Sequence, residues 1–377
     1  MFGRTFARGL AGWMLVWMAA ATAGDLNPSA PPTSGTMKPL DQIEPRIAVC
    51  AANTPGDSAY TYIISQPGSY YLTDNVIVPT NKGGIRVMAD HVTLDLMGFR
   101  IENTFVGTKG ADGIALAGGT RKNIVIKNGT IRAFRCGISN SSLNDADVQI
   151  LGIAVFSNVN HGIYLNTSTT DTTTGGGIIV RDCIAENNGM TGISVGNSAK
   201  VERCTANRNQ TGISTGEGGI IRGCNTSYNT QVGIAAGENN LIENNVSSRN
   251  GQSGITTNST STIRGNSVYY NGDYGIFAGY GSVVTDNTVR SNQNHGIRAY
   301  SACVLSGNTC SNNQASGIFV IVGSTVVRNS AYMNQQNGIY ASGCLVDQNT
   351  CVNNNQSGGS YVNLYTSGCT VGTNHAP

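Results

Sequence analysis

The chain has 377 residues, of which 49 are Gly and 42 are Asn, while 39% are hydrophobic and only 12% are charged. That much apolar content excludes a disordered polar chain, and so little charge excludes an ordinary charged globular surface. A formal net charge of +2 lends no support to a phosphate-rich partner, so nucleic acid is not expected.

At the N-terminus, Arg4 and Arg8 precede an apolar run from Leu10 to Ala23 that closes on Ala21-Thr22-Ala23. A positive start, a short apolar stretch and a small-x-small site predict a signal peptide over residues 1–23, and hence a secreted, periplasmic or cell-envelope protein. The run falls short of the ~20 apolar residues a spanning helix needs, and a retained anchor is the alternative. No later stretch is long and apolar enough to span a bilayer. Removing residues 1–23 leaves 21 basic and 21 acidic side chains. Pro28, Pro31, Pro32 and Pro39 then mark an extended leader over residues 24–59.

Beyond the leader the sequence repeats itself. Gly-Ile recurs at Gly192, Gly212, Gly233, Gly254, Gly275, Gly296, Gly317 and Gly338, each 20 or 21 residues after the last. It appears more loosely at Gly84, Gly113, Gly137 and Gly162, and Gly359-Ser360 keeps the spacing without the Ile. Within each repeat the apolar residues alternate, as in short strands. Helix-forming Leu-rich runs are missing, so a helical repeat is excluded.

The prediction is an all-β chain, a single-stranded right-handed parallel β-helix of about 13 coils with 21-residue repeats over residues 60–377. Stacking at ~4.8 Å places the column Ile114 to Ile339 one above the other. Asn245, Asn266, Asn287, Asn308 and Asn329 form a second column, with Asn349 one place early, and Asn209 to Asn355 form a third. Asn suits the left-handed backbone of a sharp turn, and stacked amides can hydrogen-bond from rung to rung.

The repeats, the opening segment Ile64 to Leu72 and the strand Val92 to Phe99 resemble the right-handed parallel β-helix proteins of the pectin-lyase-like superfamily, from about Tyr60 to the C-terminus. That resemblance implies the fold and leaves the activity open, because such scaffolds carry lyases, hydrolases, epimerases and non-catalytic surface proteins. The motifs of polygalacturonases and the Asp-Pro-His of alginate epimerases are absent, and the sparse acids after residue 190 form no catalytic dyad. Glu217 and Glu238 alone share a column, as a cation site or as solvated side chains. With four His and no Cys-x-x-Cys, neither a metal nor a cofactor is expected.

Cys183, Cys204 and Cys224 replace Asn in one column, as stacked thiols or as a pair plus a free thiol. Cys344 and Cys369 sit in matching contexts within bridging reach.

Two constellations remain. Extra residues at Thr104–Ala111 and at 166–177 would wall a cleft over Asp112, His161 and Tyr164, a candidate acid–base set for lyase or epimerase chemistry on an acidic glycan. The alternative is decorative loops and a surface His161. The residues after the inward Ile form an outward column of Phe277, Arg298, Phe319, Tyr340 and Tyr361, flanked by Tyr274 and His295. These rings either stack on sugars or stack on one another to stabilise the sheet. The functional expectation is an exported β-helix that binds polysaccharide or a cell-surface glycan, or presents an interaction face, without catalysis. Oligomeric state is left open.

Overall fold

The computed structural model describes residues 46–140, 146–165 and 177–377. The expected signal peptide and most of the leader lie outside that set. The described residues form a parallel β-solenoid with no helix. One strand of each coil enters a 14-stranded first sheet, and the other two form the second and third faces. The long strands Lys122–Arg132 and Ala146–Phe156 run across both of those faces and join them.

The first sheet has one strand more than the coils counted from Gly-Ile. Tyr60–Ile64 opens it, with Tyr62 in the Ile column opposite Ile85, so the Gly-Ile marker misses that rung. The sheet structure itself begins before Tyr60, because Ile47 and Ala48 already pair with Tyr70 and Tyr71. At the other end Leu364 lies opposite Ile339, and the residue after Gly359 does not.

The Ile column is real. Ile234 pairs with Ile255 and Ile255 with Ile276, and every Ile from Ile85 to Ile339 in that column is fully buried. Each contributes roughly 1.5–3 kcal/mol by leaving water. The preceding Gly is set by space: a Cβ on Gly296 would lie 2.6 Å from Asn313 Nδ2 and 2.6 Å from the Gly317 carbonyl oxygen. Gly and Asn therefore recur together because the buried amide of one coil lies against the bare Cα of the other.

The stacked Asn of the two ladders do not take the left-handed turn themselves. That conformation falls on the residue just before, as at Asn244, Asp286 and Arg328 in one corner and Arg249, Tyr270 and Met333 in the next. The Asn that follows turns inward and bonds its amide to the neighbouring rung. The ladder from Asn158 to Asn334 continues through Asn354 to Asn363, while Asn355 takes the left-handed position. Cys183, Cys204 and Cys224 fill the start of the other ladder: the Cys224 N–H donates to Asn245 Oδ1 at 2.8 Å. All ten cysteines are free thiols. Between Cys344 and Cys369 a backbone N–H donates to sulfur at 3.3 Å. Burial pushes the Cys351 thiol up to about 12, so it stays protonated.

Candidate functional site

The outward column of the first sheet runs Arg86, Ala115, Ser139, Tyr164, Ser194, Ser214, Ala235, Thr256, Phe277, Arg298, Phe319, Tyr340, Tyr365. Tyr365, not Tyr361, completes the aromatic series. The four residues inserted before Leu364 are absorbed in the preceding corner, and strand pairing rather than residue count decides the register.

At the N-terminal end, Asp112, Cys136, His161 and Thr191 precede successive Gly residues and share one edge of the sheet. Asp112 and His161 are two rungs apart, ~9.6 Å by strand spacing, and Arg135 lies on the rung between them. Its guanidinium donates to Asp112 Oδ2 at 2.7 Å, with the carboxylate side chain 3% exposed and the Arg side chain 45% exposed. Asp112 also accepts from the Cys136 N–H at 3.1 Å and from the Ser139 hydroxyl. Three hydrogen bonds, two to Oδ2 and one to Oδ1, thus hold the carboxylate in place. Sequence spacing missed Arg135, whose signal was its place two residues before Gly137.

His161 stacks on Tyr164 with ring centroids 4.7 Å apart. The Thr191 N–H donates to His161 Nδ1 at 3.3 Å, which places the proton of the neutral ring on Nε2. Burial, with the nearby Arg135 charge, holds this imidazole below its ordinary pKa. The result is a hydrogen-bond donor aimed away from its own backbone, with no free ring nitrogen to abstract a proton. The loop Thr104–Ala111 is tied back to the first coils, with the Gly110 N–H donating to Asn81 Oδ1 at 2.8 Å. The Thr-rich insertion after Asn166 lies outside the described residues.

At the other end the rings stack on one another. Phe319 and Tyr340 are 4.7 Å apart at 6°, Tyr340 and Tyr365 are 4.6 Å apart at 9°, and His295 lies 4.9 Å from Phe319. Tyr274 continues the pile onto His295 at 6.0 Å. The faces inside this pile are occupied, so only edges and hydroxyls meet solvent. Arg298 donates to the Tyr274 hydroxyl at 2.8 Å and lies over the Tyr274 and Phe319 rings. His295 repeats the His161 arrangement, with the Ser316 N–H donating to Nδ1 at 3.1 Å. Phe277 leans on Tyr274 at 38° and meets Tyr300 edge-on.

Between the two ends the column holds only Ser194, Ser214, Ala235 and Thr256. These short side chains form a low strip about 24 Å long between the Tyr164 and Phe277 rings at ~4.8 Å per rung. One margin of the strip carries Gln210, Gln231 and Gln252 at the same position of successive rungs, with their backbones bonded in series. Thr256 Oγ1 is buried beneath this surface and has no hydrogen-bond partner among the described residues.

The sequence pattern of the family described as "Right handed beta helix region" matches residues 62–219 and 210–304, more than half of the chain. The chain belongs to that family. Among solved structures, this β-helix is similar to the A-module of the Azotobacter vinelandii mannuronan C-5 epimerase AlgE6. That likeness has a TM-score of 0.56 and 15% identity and covers 81% of this chain and 91% of that one. It is also similar to a double mutant of the periplasmic alginate epimerase AlgG, with TM-score 0.51 and 13% identity, covering 88% of this chain and 83% of that one. At such identities the likeness is one of fold. No curated protein sequence matches the chain.

Proposed function

We propose that this β-helix is an exported protein that holds a polysaccharide along the outer face of its first sheet without cleaving or isomerising it. The observation that carries the reading is the low strip from Ser194 to Thr256, margined by the Gln210, Gln231 and Gln252 amides and closed at its ends by the Tyr164 and Phe277 rings. An extended glycan offers hydroxyls for the amides and apolar ring faces for the strip, and such polar groups fix orientation while the walls exclude water. His161 through Nε2–H, Tyr274 and Arg298 supply donors at the ends. Binding is favoured over turnover because Asp112 is buried and held by Arg135, the Cys136 N–H and the Ser139 hydroxyl, and the only unprotonated nitrogen of neutral His161 accepts from the backbone. A proton-abstracting lyase or epimerase needs at least one such group free.

Blocking the strip tests this reading. Ser214→Trp and Ala235→Trp add bulk at outward positions of the strip, and an unchanged thermal melt confirms the fold. The expected outcome is loss of retention on the polysaccharides that hold the wild type, with no ultraviolet-absorbing unsaturated product and no change of uronate configuration from either protein. Full retention by both variants rejects the site, and product formation by the wild type rejects the non-catalytic assignment.

A further inference from the structure

The third face and the corner after it carry a second surface. Each corner residue adopts a left-handed backbone, and four successive rungs place Arg208, Tyr228, Arg249 and Tyr270 there. Arg208 and Arg249 flank the Tyr228 ring at 5.7 and 5.6 Å, and Arg249 lies 5.2 Å from the Tyr270 ring. Arg290, in the adjoining strand, covers Tyr269 at 4.6 Å and Tyr270 at 5.4 Å. Tyr228 and Tyr270 are 51% and 48% exposed.

The charges here are unlike those on the second face. There Arg181, Glu202, Arg222, Glu243 and Arg264 alternate in one column. Arg222 and Arg264 both pair with Glu243. Arg208 has Glu186, but neither Arg249 nor Arg290 forms an ion pair among the described residues. The ladder also continues a surface hollow lined by Arg100, Arg132, Phe156, Ser157 and Asn187, which ends one rung before Arg208.

We propose that this corner binds an anionic polysaccharide, with Arg249 and Arg290 as its carboxylate contacts and Tyr228 and Tyr270 as the aromatic surface between them. Arg208 and Arg249 stand two rungs apart in the corner column, ~9.6 Å, and Arg290 lies two rungs further on, in the strand just before the corner residue Ser291. An extended polyuronate places carboxylates on one side at alternate sugars, which suits that spacing. A guanidinium binds a carboxylate through two parallel N–H donors, and its stacking on Tyr holds the fork in place. A duplex nucleic acid is the poorer fit, because its affinity rests on many more phosphate contacts than these cations supply.

The test uses the full chain and polygalacturonate, with a neutral glucan and single-stranded DNA alongside. The Arg249→Gln/Arg290→Gln protein is expected to bind polygalacturonate about tenfold more weakly or worse. It should also lose most of the salt dependence and keep its retention on the neutral glucan. Both sites are solvent-facing, and an unchanged thermal melt confirms the fold. Equal binding of polygalacturonate by wild type and double variant, no salt-sensitive binding by the wild type, or tighter binding of DNA than of polygalacturonate each overturns the proposal. Because the strip variants Ser214→Trp and Ala235→Trp leave this corner intact, failure here and failure on the first sheet are separate results.

Discussion

Asn271 Oδ1 accepts two hydrogen bonds from Asn250, one from its backbone N–H at 3.1 Å and one from its side-chain amide at 3.0 Å. Asn271 passes the same pattern on to Asn292 at 3.1 and 2.9 Å. Its amide also donates to the Ser247 carbonyl at 3.2 Å. One side chain therefore satisfies buried groups on the coils to either side of its own.

Asn271→Ala is expected to cost about 2–4 kcal/mol, since it leaves the Asn250 N–H and side-chain amide without their Oδ1 acceptor in the interior. Chemical denaturation followed by far-ultraviolet circular dichroism measures it. A loss under about 0.5 kcal/mol, the level of an ordinary surface change, contradicts the ladder's role.

In the aromatic pile, Phe319→Ala is expected to destabilise by about 2–3 kcal/mol, through lost burial and two lost ring contacts. Glycan retention by the surviving folded protein should stay near that of the wild type, because the faces of Phe319 are covered by His295 and Tyr340. Retention on immobilised polysaccharide decides the point: a selective loss of binding with no loss of stability assigns the ring to sugar stacking instead.

The ion pair of Arg135 with Asp112 gives a third expectation. Arg135→Gln leaves a buried carboxylate with only the Cys136 N–H and Ser139 hydroxyl, at a cost of about 3 kcal/mol. Adding Asp112→Asn removes the stranded charge and should recover part of that loss. Melts of the two single variants and the double variant close the cycle, and strict additivity refutes the coupling.

His295 makes stability depend on pH. Burial, with the Arg298 charge, pushes its pKa down to about 4, against an unfolded value near 6.5. Between those values the unfolded chain binds a proton that the folded chain refuses. The stabilisation is complete above about pH 6.5 and is lost as pH falls towards 4, by about 3 kcal/mol. His161 is shifted in the same direction. His295→Asn, which places there the residue type found at Asn337 in the same column, should flatten this part of the profile. Parallel melts from pH 7 to pH 4 that keep the same slope in both proteins contradict the assignment.

Much of this was legible from spacing, and the errors of register share one cause. Ile234 and Ile255 follow from a constant 21-residue step, and so do Asn245 and Asn266. Where a coil gains or loses residues, counting cannot say which corner absorbs the change. Tyr365 and Leu364 therefore replace the residues counted from Gly359, and Asn354 replaces Asn355. Arg135 was hidden for a different reason, since nothing in its neighbours by sequence points to a carboxylate 23 positions earlier.

The sequence by itself determined the solenoid, its buried Ile column and its amide ladders, because periodic identity is a statement about which side chains will lie above which. Only the tertiary structure decided that Asp112 pairs with Arg135, that the aromatic rings close on one another, and that Arg249 and Arg290 stand without a carboxylate among the described residues. Those outcomes depend on side-chain direction across rungs, where a few ångströms separate an engaged group from a free one and linear distance carries no information.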